Sequence, residues 1–221
     1  MVNQAGVLSK KLKKILLKNV GELHAIKGNL LSVAKNKKIK TILVTSSKPA
    51  EGKTVTAINM ACGFSYTRSK VILIDGNLHE PCIHKMFNVS DTPGLSDIFT
   101  SNQEFNNDVL RETEYKWLSV MPCGTKIDNT FDVFEIDTFK EKLDFMKKDF
   151  DYVILDGHSI LSSSDVPLVA KYFDGIVMVV ECEMTKWEVV QQAKERLENV
   201  GGNILGIVLN KRRYHIPRMF Y

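Results

Sequence analysis

The stretch that decides the fold is TILVTSSKPAEGKTVTA, residues 41–57. It begins as a short apolar run rich in β-branched residues, which predicts a buried strand. It continues into Gly52-Lys53-Thr54 and a helix-forming segment, the second half of the phosphate-binding pattern G-x-x-x-x-G-K-[ST]. The glycine lets the backbone approach a phosphate, the lysine reaches the β- and γ-phosphates, and the hydroxyl can bind Mg²⁺. The stretch therefore predicts a nucleotide site at a strand-to-helix turn.

The opening of this loop departs from the pattern, because Ser47 stands where the first glycine is expected. Lys48 lies five residues before Lys53, as in a variant form of the loop that carries a second lysine. Ala50 is less permissive than glycine at the loop tip, so we expect it to reduce nucleotide affinity. The alternative is a surface turn that ends in a lysine at a helix start. The predicted nucleotide-binding loop consists of Ser47, Lys48, Pro49, Ala50, Glu51, Gly52, Lys53 and Thr54.

Apolar runs and helical patterns alternate along the rest of the chain. After the strand that opens the loop, further strands are predicted at residues 70–76, 117–124, 151–157, 175–181 and 204–210. Helices are predicted at residues 54–68, 139–150 and 186–202. Strands that are apolar throughout and alternate with helices indicate a parallel sheet covered on both faces. We therefore expect an α/β fold with three layers, a mainly parallel central sheet, and a ligand at the carboxyl ends of the strands.

Two of the predicted strands end in an aspartate, Asp75 and Asp156. A Mg²⁺-triphosphate needs carboxylates near the metal and a group that orients or deprotonates the nucleophile. Because parallel strands end at one edge of the sheet, we expect both aspartates to lie near the phosphate loop. Lys53, Asp75 and Asp156 are the predicted catalytic residues, and Thr54, Asp75 and Asp156 are the predicted Mg²⁺ ligands. The alternative for a lone strand-end aspartate is a turn or helix-cap residue.

Composition excludes several other classes of protein. The chain has 221 residues and a mild net charge of +4, which suits one domain and gives no reason to predict nucleic-acid binding. Its four cysteines lack C-x-x-C spacing, which favours reduced thiols in a cytoplasmic protein over a zinc site or a disulfide scaffold. No apolar run approaches the roughly 18 residues of a membrane span. The five histidines show no ligand spacing, and His158 is expected to be an ordinary loop residue.

The first 40 residues differ from the rest, with ten lysines against one acid, Glu22. Apolar residues recur there at helical spacing, which predicts a basic amphipathic helical arm at residues 1–40. We expect the arm to pack on its own domain or on a neighbouring subunit; the alternative is a basic face near anionic lipid. A nucleotide-binding domain is expected at residues 41–211, and a short basic tail at residues 212–221.

Five segments resemble, in the same order, the cytoplasmic CpsD/CapB-type tyrosine kinases of capsule and exopolysaccharide synthesis in Gram-positive bacteria. They are the loop Ser47 to Thr54, ILIDGNLHEP, GLSDIF, DYVILD and GIVLNK. The resemblance covers roughly residues 20–211 and implies the P-loop fold of the Min/Par ATPases. It implies that Lys53 and Thr54 bind phosphate and Mg²⁺, that Asp75 and Asp156 serve Mg²⁺ and catalysis, and that Asn210 lies near adenine.

The resemblance also implies a function. The chain would be an ATP-dependent, autophosphorylating protein-tyrosine kinase that uses ATP and Mg²⁺ and regulates capsular and exopolysaccharide synthesis and export. It implies a membrane-embedded chain-length-determinant adaptor whose cytoplasmic tail activates the kinase. The kinase would be a homo-oligomer at the inner face of the cell membrane, held there through the adaptor.

Departures from the family pattern keep other functions open. The family's Asp-x-Asp is Asp75-Gly76-Asn77 here, so one carboxylate is replaced by a neutral amide. Its Arg-Lys-Pro becomes His79-Glu80-Pro81, and its Asp-Thr-Pro-Pro becomes Asp156-Gly157-His158-Ser159. In place of a tyrosine-rich tail, only Tyr214 and Tyr221 follow the last strand. The alternatives are an ATP-binding regulatory subunit of polysaccharide export and a Min/Par-like positioning ATPase.

Overall fold

A computed structural model of the chain describes residues 6–10, 12–14, 28–29, 32, 39–100, 107–127, 129–130, 133–134 and 136–212. Most of the predicted arm at residues 1–40 lies outside these ranges. So does the predicted tail beyond residue 212, with Tyr214 and Tyr221.

One sheet of seven strands forms the centre of the fold. The strands are β1 (Thr41–Ser46), β2 (Val71–Asp75), β3 (Arg111–Glu112), β4 (Leu118–Met121), β5 (Tyr152–Asp156), β6 (Gly175–Glu181) and β7 (Ile204–Asn210). Their order across the sheet is β3-β4-β2-β5-β1-β6-β7, and every pairing is parallel except that of β3 with β4. The six predicted strands are all present. Strand β3 was not predicted, because two residues are too few to show a strand pattern.

Helices connect the strands. They are α1 (Lys53–Ser65), α2 (Ile83–Phe87), α3 (Leu95–Thr100), α4 (Ile136–Asp149), α5 (Asp165–Ala170) and α6 (Trp187–Asn199), with a 3₁₀ turn at Asn107–Val109. The three predicted helices correspond to α1, α4 and α6. Helices α2, α3 and α5 have five or six residues each, too few for a helical period to be visible in the sequence. In the part of the chain that the structure describes, no helix is long and apolar enough to cross a membrane.

The core lies on both faces of the sheet, which confirms the predicted three layers. Helices α1 and α2 cover one face with buried side chains that include Ile58, Phe64 and Phe87. Helices α4, α5 and α6 cover the other face, where Leu143 and Leu197 are buried. All six residues of β1 are buried, as expected for a central strand covered on both sides. This packing fixes the carboxyl ends of β1, β2 and β5 along one edge.

The described start of the arm packs on its own domain. Gly6 forms a parallel bridge with Thr113, and its N–H donates to the Glu112 carbonyl at 2.7 Å. The Leu8 N–H donates to Glu114 Oε1 at 2.8 Å, and the Leu8 side chain is buried in the same cluster as α1 and α2. These contacts join residues 6–8 to the segment around β3; the remainder of the predicted arm stays a prediction.

Candidate functional site: the phosphate loop and two buried aspartates

The loop after β1 ends at Gly52, whose φ of 93° lies in the left-handed region that glycine tolerates best. A Cβ at this position would lie 2.0 Å from Asn210 Nδ2, so only glycine fits. The Asn210 amide in turn donates to the Glu51 carbonyl at 2.8 Å. Asn210, at the end of β7, thus holds the backbone of the loop from the side. Its predicted position near adenine is compatible with this contact but is not tested by it.

The tip of the loop carries a second left-handed residue, Ala50, with φ of 63°. An alanine in this conformation costs about 1–2 kcal/mol. Lys211 donates from Nζ to the Ala50 carbonyl at 2.7 Å, and it also pairs with Glu181 at 2.9 Å. Lys211, the residue directly after β7, therefore helps to keep Ala50 in its strained conformation.

A buried carboxylate inside the loop explains why Ser47 replaces the expected glycine. Glu51 is 2% exposed, and the Ser47 hydroxyl donates to its two oxygens at 2.7 and 2.9 Å. The Lys48 N–H donates to Glu51 Oε2 at 2.8 Å, and the Thr185 hydroxyl donates to Oε1. Because a buried charge needs donors, Ser47 supplies one that glycine lacks. Glu51 also joins the loop to the segment after β6 through Thr185.

Helix α1 presents an anion-binding N-terminus directly after Gly52. The helix has 13 residues and no acidic residue in its first turn, so its positive end is not neutralised from within. Lys53 and Thr54 stand on this first turn. A phosphate at this position would receive backbone N–H groups and the Lys53 ammonium together. The structure thus places Gly52, Lys53 and Thr54 together at the start of α1, where the sequence predicted phosphate binding.

Asp75 and Asp156 lie opposite each other on the neighbouring strands β2 and β5, and both are fully buried. The structure therefore brings together the two predicted aspartates at one edge. The pKa of Asp156 is raised to about 7, mainly by burial, with the Lys53 ammonium acting in the opposite direction. Neither carboxylate oxygen of Asp156 has a hydrogen-bond partner of normal geometry among the described residues, although the Thr54 side chain is near enough to lower the pKa of Asp156.

Asp75 differs from Asp156 because backbone groups already occupy its oxygens. The N–H groups of Cys82 and Ile83 each donate to Oδ2 at 2.9 Å, and the Asn77 N–H donates to Oδ1 at 3.3 Å. Burial raises the pKa of Asp75 to about 6, although these three N–H groups lower it. Asp75 thus tethers the loop that joins β2 to α2.

The residues around Asp156 fit a Mg²⁺ ion. A buried carboxylate without a partner requires an explanation, and a bound cation supplies one. Carboxylate and hydroxyl oxygens from Asp156 and Thr54 suit this hard metal. Among the described residues, no group of three or more His, Cys, Asp or Glu side chains could hold a metal ion by itself.

The structure also places near this site three residues that the sequence did not single out as functional. The His79 and His158 rings lie 5.2 Å apart in an edge-to-face arrangement, and His79 Nε2 lies 3.0 Å from Asp165 Oδ2. The expectation that His158 is an ordinary loop residue did not anticipate this contact. The sequence did contain a clue, because His79 and His158 both stand where the chain departs from the family pattern. They lie in two separate loops, after β2 and after β5.

We expect Ser47→Ala to destabilise the protein, although Ser47 is itself a departure from the common motif. The buried Glu51 carboxylate would lose a donor, at a cost of about 1–3 kcal/mol in the free energy of unfolding. Urea unfolding measures this change. Ser162→Ala is the control, because this serine is exposed. Equal stability of Ser47→Ala and the wild type would contradict the role assigned to Ser47.

We expect Asp156→Asn to stabilise the protein in buffer without Mg²⁺ or nucleotide. An aspartate titrates near pH ~3.9 in the unfolded chain, whereas the pKa of Asp156 is raised to about 7 in the fold. Between these two pKa values the folded protein binds more protons than the unfolded chain. Its free energy of unfolding therefore falls as the pH rises from about 4 to 7.

Asparagine removes this titration, so the variant should gain about 1–3 kcal/mol at pH 8, with a smaller difference at pH 5. Denaturant unfolding at both pH values measures the effect. Asp144→Asn, at an exposed position on α4, should change stability by less than about 0.5 kcal/mol. If Asp156→Asn is less stable than the wild type at pH 8, the prediction is wrong, because the Asp156 carboxylate must then have a favourable partner in the fold.

Comparison with known proteins agrees with this geometry. A family model described as an AAA domain matches residues 39–205. The tyrosine-protein kinase CpsD of Streptococcus agalactiae is 30% identical over 189 residues, which cover 85% of this chain and 81% of that protein. The kinase domain of the Escherichia coli tyrosine kinase ETK superposes with a TM-score of 0.83 at 25% identity, covering 90% of this chain and 78% of that domain.

A further solved structure, the chimerical protein CapA2B2, has a TM-score of 0.81 at 26% identity and covers 87% of this chain and 84% of its own. The family predicted from the five sequence segments is therefore confirmed. The chain belongs to the AAA-domain family and to the bacterial tyrosine-protein kinases of the CpsD type.

Proposed function

We propose that this chain is an ATP-dependent protein-tyrosine kinase that regulates capsular or exopolysaccharide synthesis. The observation that carries the proposal is the buried, unpartnered Asp156 carboxylate at the edge of the sheet where Lys53 and Thr54 open α1. Membership of the bacterial tyrosine kinases supports it over a Min/Par-like positioning ATPase.

The roles of the loop residues follow from their positions. The segment from Ser47 to Thr54 binds the phosphates of ATP through backbone N–H groups and the N-terminus of α1. Lys53 neutralises charge on the phosphoryl group as it is transferred. Asn210 keeps the loop in shape from beside Gly52 and lies on the side where the adenine is expected.

The two aspartates take different roles in this proposal. Thr54 and Asp156 hold Mg²⁺, and Asp75 acts as a more distant metal partner rather than as a base, because three backbone N–H groups already donate to it. Bound Mg²⁺ would neutralise part of the triphosphate charge. Phosphoryl transfer depends mainly on positioning and on charge stabilisation, which this arrangement supplies.

The proposal extends to the location and partners of the kinase. The kinase works in the cytoplasm at the inner face of the membrane, as a homo-oligomer that a membrane-embedded chain-length-determinant adaptor recruits and activates. Similarity to the chimerical protein CapA2B2 supports an adaptor of this kind. The mild net charge of +4 gives no support to nucleic acid as a partner.

One observation favours a second candidate, an ATP-binding regulatory subunit with little kinase activity. Asn77 stands where the family carries a carboxylate, and its amide Nδ2 donates to the Glu80 carbonyl at 3.0 Å. A neutral amide cannot accept a proton from a tyrosine hydroxyl. The second candidate therefore shares nucleotide binding with the first and differs in the absence of phosphotyrosine.

Lys53→Ala tests the kinase. We expect the full chain with Mg-ATP to form phosphotyrosine, with or without an adaptor tail, and Lys53→Ala to lower the rate by at least ~100-fold. Antibody detection of phosphotyrosine and calorimetric ATP titration are the two measurements. Lys140→Ala, an exposed lysine on α4, should match the wild type. ATP binding without phosphotyrosine would favour the second candidate, and a wild type that ignores ATP would defeat both.

A further inference from the structure

Transfer of a phosphoryl group to tyrosine releases the phenolic proton, which needs an acceptor. The nearby carboxylates are poorly placed for this task. Asp156 is assigned to Mg²⁺, Asp75 accepts three backbone N–H bonds, and position 77 holds an amide. A different side chain at the same edge is therefore a better candidate for the acceptor.

His79 has the hydrogen bonding of a general base. Its Nε2 lies 3.0 Å from Asp165 Oδ2, and Asp165 is 5% exposed. The carboxylate accepts, so Nε2 carries a hydrogen, and in the neutral ring Nδ1 then has the free lone pair. The His79 side chain is 49% exposed, which leaves room for a substrate to approach.

Asp165 is itself held in place on several sides. The Thr130 hydroxyl donates to its Oδ1 at 3.0 Å, and its backbone N–H donates to Ser163 Oγ at 3.0 Å. Its carboxylate therefore has fixed partners on both oxygens. A carboxylate fixed in this way orients the imidazole that it contacts, as in other aspartate-histidine pairs.

The pair lies beside the phosphate loop. The His158 ring contacts the His79 ring edge-to-face at 5.2 Å. The Thr45 hydroxyl, in β1, donates to the His158 carbonyl at 2.6 Å, so the loop that carries His158 lies beside the strand that leads into the phosphate loop. Burial lowers the pKa of His158 first, and the Lys53 ammonium lowers it as well. Among the described residues, the titratable groups shown in contact with His79 are Asp165 on α5 and His158 on the β5–α5 loop.

Asn77 helps to hold the turn that carries His79. Its amide donates to the Glu80 carbonyl at 3.0 Å, across the turn that carries His79. An ionised aspartate could not make this bond, because it has no hydrogen to donate. Asp75 holds the far end of the same segment through the N–H groups of Cys82 and Ile83. The segment is therefore fixed at both ends around His79.

We propose that His79, oriented by Asp165, accepts the proton of the tyrosine hydroxyl during phosphoryl transfer. This rests on the proposed kinase function. The tyrosine oxygen bonds to the γ-phosphorus as the bond from that phosphorus to the bridging oxygen breaks. ADP leaves with the electron pair, and the proton goes to His79 Nδ1 and then to water.

The test uses the full chain, Mg-ATP, and a random glutamate-tyrosine copolymer as the acceptor. In His79→Gln the amide can still donate to Asp165 but cannot accept a proton. We expect copolymer phosphorylation to fall at least ~100-fold, with ATP affinity by calorimetry unchanged within about 2-fold. His84→Gln is the matched control, because His84 also lies beside an aspartate, 3.1 Å from Asp91. It should keep the wild-type rate.

A second variant separates proton transfer from loop positioning. In His79→Ala, added imidazole should restore copolymer phosphorylation at least tenfold, whereas a purely positional role gives no such recovery. Absence of rescue, or a His79→Gln rate within 2-fold of the wild type, overturns the role of His79 and leaves the kinase proposal standing. A wild type that phosphorylates neither itself nor the copolymer removes the kinase proposal and this role together.

Discussion

A carboxylate with no hydrogen-bond partner lies fully buried at the carboxyl end of β5, and the candidate site depends on it. Asp156 pairs in register with Asp75 on the neighbouring strand β2, so two buried carboxyl groups lie side by side. Such a pair is costly for the fold unless a cation is close. Lys53 lies near enough to lower the pKa of Asp156, although burial outweighs it. The charges at this edge of the sheet thus favour binding of a ligand at the expense of the stability of the fold, as is common at functional sites.

The loop above these aspartates is held in shape by parts of the chain that are distant in sequence. Glu51 receives donors from Ser47 inside the loop and from Thr185 after β6. Asn210 and Lys211 hold the loop backbone from the end of β7. A preformed loop reduces the ordering that a bound phosphate would otherwise require. Contacts within the chain therefore hold the two left-handed residues of the loop, Ala50 and Gly52, in place.

The sequence predicted those parts of the molecule that have a local pattern. The long apolar strands predicted the fold. The Gly52-Lys53-Thr54 segment and the two strand-end aspartates predicted residues that the structure places at one edge of the sheet, because each follows from spacing along the chain. Contacts between loops have no such pattern. The contacts of Glu51 with Thr185 and of His79 with Asp165 join segments that only the folded sheet brings together. The short helices α2, α3 and α5 were missed for a related reason, since tertiary packing rather than periodicity maintains them.

The central claim is that Asp156 serves a magnesium ion bound with nucleotide at the phosphate loop. The most direct measurement is calorimetric titration of ADP into the wild type and Asp156→Asn, each with and without Mg²⁺. Mg²⁺ should strengthen ADP binding by the wild type at least tenfold, and should have little effect on the variant. Equal Mg²⁺ dependence in the two proteins, or no ADP binding by the wild type, would contradict the account.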